Sequence, residues 1–338
     1  MNLTNRIISL AIVLMAFTGW SNQAIGQDYT YDDAAEAFTE GREQAEAGQF
    51  EDAIDAYVRA VEISEAIGPQ ADEVKNRAQQ QITRSALQRL QFLANNAEWE
   101  EAISWVDSIE ELDNTYGDGS IYERAYGNLH RFYLSWGNEF LRREENEEAK
   151  QRYEQALEIQ PNYTRAHYQL GLTHRRLGNL EESLSSLERS MELAEQQGSQ
   201  DDFERARSQA RDYLIYLGSE ATSDERFTEA EEHLTRALQY DAESARLHYR
   251  LAEMYNLTER YNEALNHANT ALDYEDGGQS DHARIYFELG EAHKGLDNIS
   301  QACDAYINAA HGDTRSAAEH ELEHELDCDG WEEQVGRR

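Results

Sequence analysis

The stretch 162–193 constrains the fold of this chain most strongly, because it reads as two amphipathic helices joined by a short turn. The helices are predicted over 164–177 and 180–193, and Gly178 and Asn179 interrupt the pattern between them. Each helix carries its apolar residues at helical spacing along one face. Neither helix can bury that face alone, so the pair requires similar pairs stacked beside it.

The same pattern recurs along most of the chain. The stretch 130–163 starts 34 residues before 164 and matches it, with Trp136-Gly137 standing where Leu170-Gly171 stands. A small residue, a large apolar or aromatic residue and a second small residue recur in the second helix of most units. Seven helix pairs are therefore predicted within 34–312, the second of them degenerate: 34–64, 83–110, 130–163, 164–193, 211–244, 245–276 and 283–312.

These units resemble the tetratricopeptide repeat (TPR) family, whose pattern asks for Leu-Gly early in helix A and for a small residue, an aromatic and Ala in helix B. The resemblance implies an all-α fold, a right-handed superhelical solenoid of antiparallel helix pairs. A C-terminal capping helix and tail are expected in 313–338. The resemblance also implies a non-catalytic scaffold that binds a protein or peptide and needs no cofactor.

The residues between the repeats refine this expectation. The segments 70–82 and 195–210 are rich in helix formers, so helix A of the following unit is expected to begin early. The segment 114–119 carries turn-forming residues and is the expected flexible joint. No linker or composition shift divides the repeats, which predicts a single array.

Residues 1–26 have the pattern of a secretory signal peptide. Arg6 precedes an apolar run, 7–17, that is too short to span a bilayer, and small residues at 24–26 precede the expected cleavage site. A polar lead-in, 27–33, follows. The mature chain is thus expected to be exported by a bacterium, periplasmic or secreted, without a transmembrane segment; an uncleaved N-terminal anchor is the alternative.

The chain is strongly acidic, with 67 Asp and Glu against 30 Lys and Arg and a net charge of -37 at pH 7. This charge argues against nucleic acid and anionic membranes as partners, because both would repel it. Two interpretations stay open. One is a solvated surface that keeps the protein soluble, and the other is an adaptation to salt, which screens the repulsion among acidic groups.

The basic residues concentrate on the predicted helices A. The first fourteen residues of the seven units contain 14 Arg or Lys and 11 Asp or Glu, a net of +3, so the rest of the chain carries -40. In the family that the chain resembles, helices A line the concave groove. The predicted partner-binding groove combines arginines with apolar, aromatic and amide side chains: Arg131, Leu134, Asn138, Arg142, Arg165, Tyr168, Arg175, Arg176, Arg246, Tyr249, Arg284 and Phe287.

A ligand of this groove is expected to be a protein or peptide with acidic groups or a C-terminal carboxylate, since arginine binds carboxylates bidentately. The alternative is that these arginines pair with helix-B carboxylates of neighbouring repeats and only hold the stack. Assembly of the cell envelope or of a secretion system is the suggested context, and self-association through the groove is a further alternative.

His320, Glu321 and His324 match the H-E-x-x-H pattern of zinc peptidases. The match has no surrounding protease domain and no evident third ligand, so neither a catalytic site nor a metal site is predicted. A zinc peptidase stays as the rival function, and a structural metal site of His320, His324 and Cys328 is a second alternative.

Cys303 and Cys328 are the only two cysteines of the chain. In an oxidising compartment an even number of cysteines favours a disulfide. Stacking the expected capping helix, 314–326, on the last repeat would bring the two thiols together, and separate thiols are the alternative.

Overall fold

The computed structural model describes residues 29–326 and 328–336, and helices are the only regular secondary structure within these residues. The predicted signal peptide, 1–26, lies outside the described residues, as do the first two residues of the lead-in. The side chain of Thr30 caps a helix that begins at Tyr31, so the end of the lead-in is helical. None of the helices in these residues combines the length and the apolar character needed to cross a bilayer.

The described residues divide between Trp136 and Gly137 into two compact units, a first and a second, which are described separately. The helices up to the boundary are α1 (Tyr31–Glu46), α2 (Phe50–Ile67), α3 (Asp72–Asn95), α4 (Trp99–Tyr116) and α5 (Ser120–Tyr126), and α6 (Leu129–Arg142) contains the boundary itself. The sequence predicted a single array. The short helix α5, which the periodicity did not reveal, interrupts the alternation of helices A and B just before this boundary.

The second unit continues in the same way. Its helices are α7 (Asn146–Ile159), α8 (Thr164–Arg176), α9 (Leu180–Gln196), α10 (Gln200–Ser223), α11 (Phe227–Ala237), α12 (Ala245–Leu257), α13 (Tyr261–Tyr274), α14 (Gln279–Gly295), α15 (Ile299–Ala309), α16 (Arg315–His320) and α17 (Trp331–Gln334). Consecutive helices form packed antiparallel pairs. Helix A begins early in two repeats, as predicted, because α3 starts at Asp72 and α10 at Gln200.

The predicted joint at 114–119 is shorter and better anchored than the sequence suggested. Residues 114–116 form the last turn of α4. The buried carboxylate of Asp113, directly before these residues, accepts backbone N–H groups of Ile121 and Tyr122 at 2.9 and 2.8 Å. These bonds satisfy donors in the first turn of α5, and Asp118 Oδ1 accepts the N–H of Ser120 at 3.1 Å, while the N-cap residue, Gly119, has no side chain to cap the helix.

Glycine in helix A allows a large side chain of helix B to pack directly against the backbone. A Cβ atom at Gly137 would lie 2.5 Å from the ring of Tyr153, and one at Gly171 would lie 2.7 Å from Leu187. Both large side chains are fully buried. The glycine of the repeat pattern is therefore a packing requirement, since no larger residue fits without moving the partner helix.

The turn from helix A to helix B holds one residue in the left-handed region in each of the seven repeats. Two of these residues are Gly48 and Gly178, the second at the predicted break. The other five carry a Cβ and have φ of 58–63°: Ala97, Glu144, Glu225, Glu259 and Asp297. Because this region disfavours residues with a Cβ, the packing of the helix pairs, rather than local preference, sets these turns.

The sequence predicted one capping helix, 314–326, and the C-terminal cap consists of several short helical pieces. After the 3₁₀ turn Gly312–Thr314, α16 continues into a π-helical turn, Glu321–Glu325. Ala318, Leu322 and Trp331 are buried against Tyr306 of the last repeat. The cap thus takes the place that helix A of a further repeat would occupy.

Candidate interaction surface

Helices A of the second unit form one continuous surface. Helix α8 contacts α10, α10 contacts α12, and α12 contacts α14. We call the outward surface of these four helices the A-helix face. In three places, a side chain near the end of a helix A donates a hydrogen bond to the following helical element. These bonds join Arg175 Nη1 to Gln209 Oε1 at 3.1 Å, Asn256 Nδ2 to Glu288 Oε2 at 2.8 Å, and Lys294 Nζ to Glu321 Oε2 at 2.7 Å.

Four of the predicted groove arginines are exposed and have no partner among the described residues: Arg131, Arg142, Arg165 and Arg246. Arg165 and Arg246 each occupy the second position of their helix A, and neither has a partner among the described residues. Arg142, near the start of this unit, is likewise exposed without a described partner. Arg284 differs, because Asp313 and Asp281 pair with it at 2.9 and 3.8 Å.

Arg175 and Arg176, the centre of the predicted groove, instead hold neighbouring helices together. Besides its bond to Gln209, Arg175 lies over the ring of Tyr213, 5.2 Å from the centroid. Arg176 donates to the carbonyl of Leu141 at the end of α6, at 3.0 Å. These two arginines thus contact neighbouring helices, but their partners are helix-A side chains and a backbone carbonyl, not the helix-B carboxylates that the alternative named.

The inter-repeat carboxylate pairs involve other arginines. Arg236 on α11 binds Glu181 of α9 with two hydrogen bonds, of 2.6 and 2.8 Å. Arg260, just before α13, binds both carboxylate oxygens of Glu231 at 2.9 Å. Helix-B and turn arginines thus hold neighbouring repeats together, which leaves Arg165 and Arg246 available.

The apolar groove residues are less exposed than predicted. Leu134, in the first unit, is only 9 % exposed and belongs to the core, and Arg131 beside it is exposed without a described partner. In the second unit Phe287 packs against the cap cluster and Tyr306, so it is partly covered. Asn138 accepts the hydroxyl hydrogen bond of Tyr153 at 2.8 Å and serves the core.

The aromatic residues that remain at the A-helix face are half-buried. Burial raises the pKa of Tyr168, and it raises the pKa of Tyr249 to about 12. Arg250 lies over the ring of Tyr249 at 5.1 Å from the centroid and pairs with Glu253 at 2.7 Å. The predicted groove does not include the most exposed aromatic residue of the face, Tyr216, whereas the adjacent Ile215 is fully buried.

A buried acid lies between the last two helices A. The Glu288 carboxyl is 9 % exposed and accepts one hydrogen bond, from Asn256. Burial raises its pKa to about 8; Glu253 and Glu291 raise it further, and Asn256 and Arg250 act in the opposite direction. This acid is therefore protonated at neutral pH and adds no negative charge to the A-helix face.

The H-E-x-x-H stretch does not form the arrangement of a zinc peptidase. Glu321, the residue that would act as the base, is bound to Lys294 at 2.7 Å. His320 ends α16 and His324 lies in the π-helical turn, with ring centroids 5.1 Å apart. In the described residues no group of three His, Cys, Asp or Glu side chains could hold a metal ion.

The two cysteines lie at disulfide-bonding distance, with Cα atoms 6.0 Å apart. Cys303 lies on α15, and Cys328 lies between the cap helix and α17. Cys328 therefore faces Cys303 and is not oriented toward His320 and His324 as a third metal ligand.

Comparison with known families agrees with this geometry. A family model described as TPR repeat matches residues 137–178, and models described as Tetratricopeptide repeat match 164–197 and 221–280. Stacked antiparallel helix pairs with glycine at the A–B contact define a helical-repeat interaction protein. The chain belongs to the tetratricopeptide repeat family.

No curated protein matches the sequence. Similar solved structures include YrrB, "a TPR protein with an unusual peptide-binding site" (19% identity, TM-score 0.36, 57% of this chain and 91% of that chain). MamA is similar at 19% identity and a TM-score of 0.37, with 59% of this chain and 97% of that chain covered. PilW, a "widely conserved type IV pilus biogenesis factor", is similar at 15% identity and a TM-score of 0.33, with 71% of this chain and 99% of that chain covered. At these TM-scores the alignments support no conclusion about partners.

Proposed function

We propose that this protein is an exported, non-catalytic scaffold that binds an acidic segment of a partner protein on its A-helix face. One observation carries the proposal: Arg165 and Arg246 are exposed and unpaired in a chain whose net charge is -37. Acidic side chains are abundant enough to pair every arginine. Two cations that stay free on the same face are therefore available to a ligand.

The physical chemistry of the face favours a carboxylate ligand. Arg165 and Arg246 lie in the first turn of α8 and α12, where the helix dipole disfavours a cation, so an anion bound there relieves an unfavourable interaction. The guanidinium group can hold a carboxylate with two parallel hydrogen bonds. The acidic remainder of the molecule repels the same ligand, which restricts binding to this face.

Export is supported by the sequence and by the cysteine pair. The first 26 residues have the charged, apolar and small-residue regions of a signal peptide in order. Cysteines at bonding distance suit an oxidising compartment such as the bacterial periplasm. A role in assembling the cell envelope or a secretion system is consistent with such a location.

Photo-crosslinking in the native host tests the proposal. A photoreactive residue replaces Gln169 on α8 in one variant, and in a second variant it replaces Glu232, which is exposed on helix B. The probe at 169 should capture the same partner repeatedly, and the probe at 232 should not. Adding Arg165→Glu with Arg246→Glu should abolish capture without changing the circular dichroism spectrum or the thermal midpoint.

The control for charge is Arg42→Glu with Arg77→Glu, since these side chains are 60% and 62% exposed in the first unit. This control should capture the partner like the wild type. Capture that survives reversal of Arg165 and Arg246, or capture by the helix-B probe alone, would show that the A-helix face is not the site.

A further inference from the structure

Helix α14, the helix A of the last repeat, carries a stripe with a cation near each end. The stripe consists of residues at helical spacing: Arg284, Phe287, Glu291 and Lys294. Phe287 is partly buried in the apolar cluster between the last repeat and the C-terminal cap. The stripe thus places an apolar side chain between two positive charges.

The C-terminal cap covers this stripe and supplies a carboxylate at each end of it. Asp313, in the 3₁₀ turn before α16, binds Arg284 at 2.9 Å. Glu321, eight residues later, binds Lys294 at 2.7 Å. Ala318, between the two acids, is fully buried in the apolar cluster. The cap therefore presents to α14 what an acidic ligand would present, namely two carboxylates separated by an apolar contact.

We propose that α14 is a docking surface for an amphipathic helix of a partner protein, and that the cap occupies this surface as an internal substitute. The partner helix has the pattern of the cap segment 313–322: carboxylates at its first and ninth positions, and small or apolar residues at its sixth and tenth. The inference rests on the proposed function for the acidic class of partner, but it concerns a site that does not include Arg165 and Arg246.

The cap has fewer anchors than a helix A inside the array. Helices α10, α12 and α14 each pack against the helix B before them and the helix B after them. In contrast, α16 has six residues and is followed by the four-residue α17 in place of a helix B. Helices this short are not stable by themselves. A longer partner helix with the same pattern can therefore replace the cap.

The two ion pairs between the cap and α14 also permit exchange. The side chains of Arg284 and Asp313 are 47% and 83% exposed, and exposed ion pairs contribute little to stability. Without the cap, each cation keeps only a weak pair within its own helix. Arg284 then faces Asp281 at 3.8 Å, and Lys294 faces Glu291 at 3.2 Å. Both cations can thus accept an incoming carboxylate.

A disulfide between Cys303 and Cys328 keeps the cap on α14. A segment tethered in this way competes with any partner at a high effective concentration. Opening the bond and neutralising the two acids of the cap weakens this competition without changing α14. The site then becomes accessible in the full-length chain.

Fluorescence polarisation with the full-length protein tests the inference, and the probe is a fluorescein-labelled peptide of residues 312–326. The weakened-cap variant combines Cys303→Ser with Asp313→Asn and Glu321→Gln. It should bind the probe at least about tenfold more tightly than the disulfide-bonded wild type. A control peptide with the same two acids replaced by Asn and Gln should bind this variant at least about tenfold more weakly than the probe.

Wild type reduced with dithiothreitol is a milder way to open the cap. It should bind the probe with intermediate affinity, and it provides the comparison if the weakened-cap variant does not fold. If the weakened-cap variant forms a dimer that excess probe dissociates, the cap of a second copy binds α14, which supports the docking surface.

Charge reversal identifies the residues of the site. Adding Arg284→Glu with Lys294→Glu to the weakened-cap variant should abolish binding of the probe. A peptide in which both acids are replaced by Lys should bind this reversed protein instead, which also shows that it is folded. The matched control is Arg205→Glu with Arg226→Glu, whose side chains are 57% and 43% exposed, and it should bind the probe unchanged.

The inference is overturned if the probe binds the opened and closed proteins equally, if the control peptide binds as well as the probe, or if no opened protein binds it. These failures leave the proposed function untouched, because crosslinking at Gln169 tests it separately. If reversing Arg165 and Arg246 abolishes probe binding while reversing Arg284 and Lys294 does not, acids bind only at the first site and α14 is not a docking surface.

Discussion

Single residues set how closely neighbouring helices approach. Gly137 and Gly171 leave room that a Cβ atom would fill, and Ala264 on α13 is fully buried at the corresponding contact of helix B. Glu288 shows a different effect, since packing α14 against α12 buries a carboxyl group with only one hydrogen-bond donor. The distance between neighbouring helices thus controls both the packing of side chains and the protonation of Glu288.

Ala264→Leu should lower the free energy of unfolding by about 1–3 kcal/mol, because the larger side chain overpacks a fully buried contact between helices. Chemical denaturation followed by circular dichroism measures the change. Asn262→Leu, on an exposed position of the same helix, is the matched control and should shift stability by less than about 0.5 kcal/mol. Equal stability of the two variants would mean that the repeat register is misassigned.

Glu288 should make stability fall as the pH rises from about 4.5 to about 8. Its pKa rises from 4.5 in the unfolded chain to about 8 in the fold, so the folded state keeps a proton that the unfolded state releases. The stabilisation is complete below about pH 4.5 and disappears as the pH rises through 8. Glu288→Gln, which is neutral and similar in shape, should therefore raise the thermal midpoint at pH 8.5.

The expected gain is about 2–4 °C for each kcal/mol in a unit of this size. Thermal melts of wild type and Glu288→Gln from pH 5 to 9 provide the measurement, with the exposed Glu232→Gln as control. If Glu288→Gln keeps the pH dependence of the wild type, Glu288 does not hold the extra proton.

At the scale of elements, each repeat relies on contacts between its own two helices. In the repeat α12–α13, the imidazoles of His248 and His267 meet at 2.9 Å between their Nδ1 atoms. His248 Nε2 must donate to the Ala242 carbonyl, 2.9 Å away, since a carbonyl only accepts. His267 then donates to His248, and Tyr255 stacks on His267 at 5.4 Å between centroids.

This histidine pair should make stability fall at acidic pH. Burial, and then the neighbouring His248, lower the pKa of His267 from 6.5 to about 4, although Glu263 opposes the shift. The neutral form of His267 stabilises the fold fully above pH 6.5, and this contribution is lost as the pH falls through 4. His267→Gln should be less stable than wild type at pH 7.5 but should lose less stability between pH 6.5 and 5.

Urea unfolding at pH 7.5, 6.5 and 5.0 measures these slopes. His282→Gln is the control, because His282 is partly exposed and only bonds the carbonyl of Gly278 within its own helix start. Identical acid slopes for wild type and His267→Gln would contradict the assignment.

The C-terminal cap and the last repeat form a second contact between secondary-structure elements. A bond between Cys303 and Cys328 closes a loop with a sequence separation of 25 and should contribute roughly 3 kcal/mol. Thiol labelling of the denatured, unreduced protein should find no free thiol. Reduction, or Cys303→Ser, should speed amide hydrogen exchange in α16 and leave exchange in α8 unchanged; two reactive thiols in the untreated protein would exclude the bond.

At the scale of the whole molecule, charge is the dominant property. The net charge of -37 is far from neutral at pH 7, and the sequence pI is about 4.5. Such a charge keeps the protein soluble but destabilises the folded state through repulsion. Most ion pairs are exposed, and each contributes little to stability.

Salt should therefore stabilise this protein at neutral pH. Raising NaCl from 0.05 to about 1 M shortens the Debye length from roughly 14 to 3 Å and should raise the thermal midpoint. Near pH 5, where the net charge is small, the increase should largely vanish, which separates screening from general salt effects. A midpoint that stays flat or falls with NaCl at pH 7.5 would remove the interpretation of salt adaptation.

The sequence by itself determined the helix pairs, the early starts of α3 and α10 and the break at Gly178. These features depend on local periodicity, helix breakers and the 34-residue spacing, all of which the chain carries within one or two repeats. It also established the acidity of the molecule and the concentration of arginine on helices A.

Only the tertiary structure decided which of those arginines are available. Arg165 and Arg175 belong to the same helix, yet Arg175 reaches Gln209 and Tyr213 of α10 while Arg165 has no described partner. Likewise Ile215 is buried and Tyr216 is exposed. Periodicity shows which side of a helix is apolar. It does not show which side chains at the edge of that side contact a neighbouring helix, because this depends on the lateral offset between helices from distant parts of the chain.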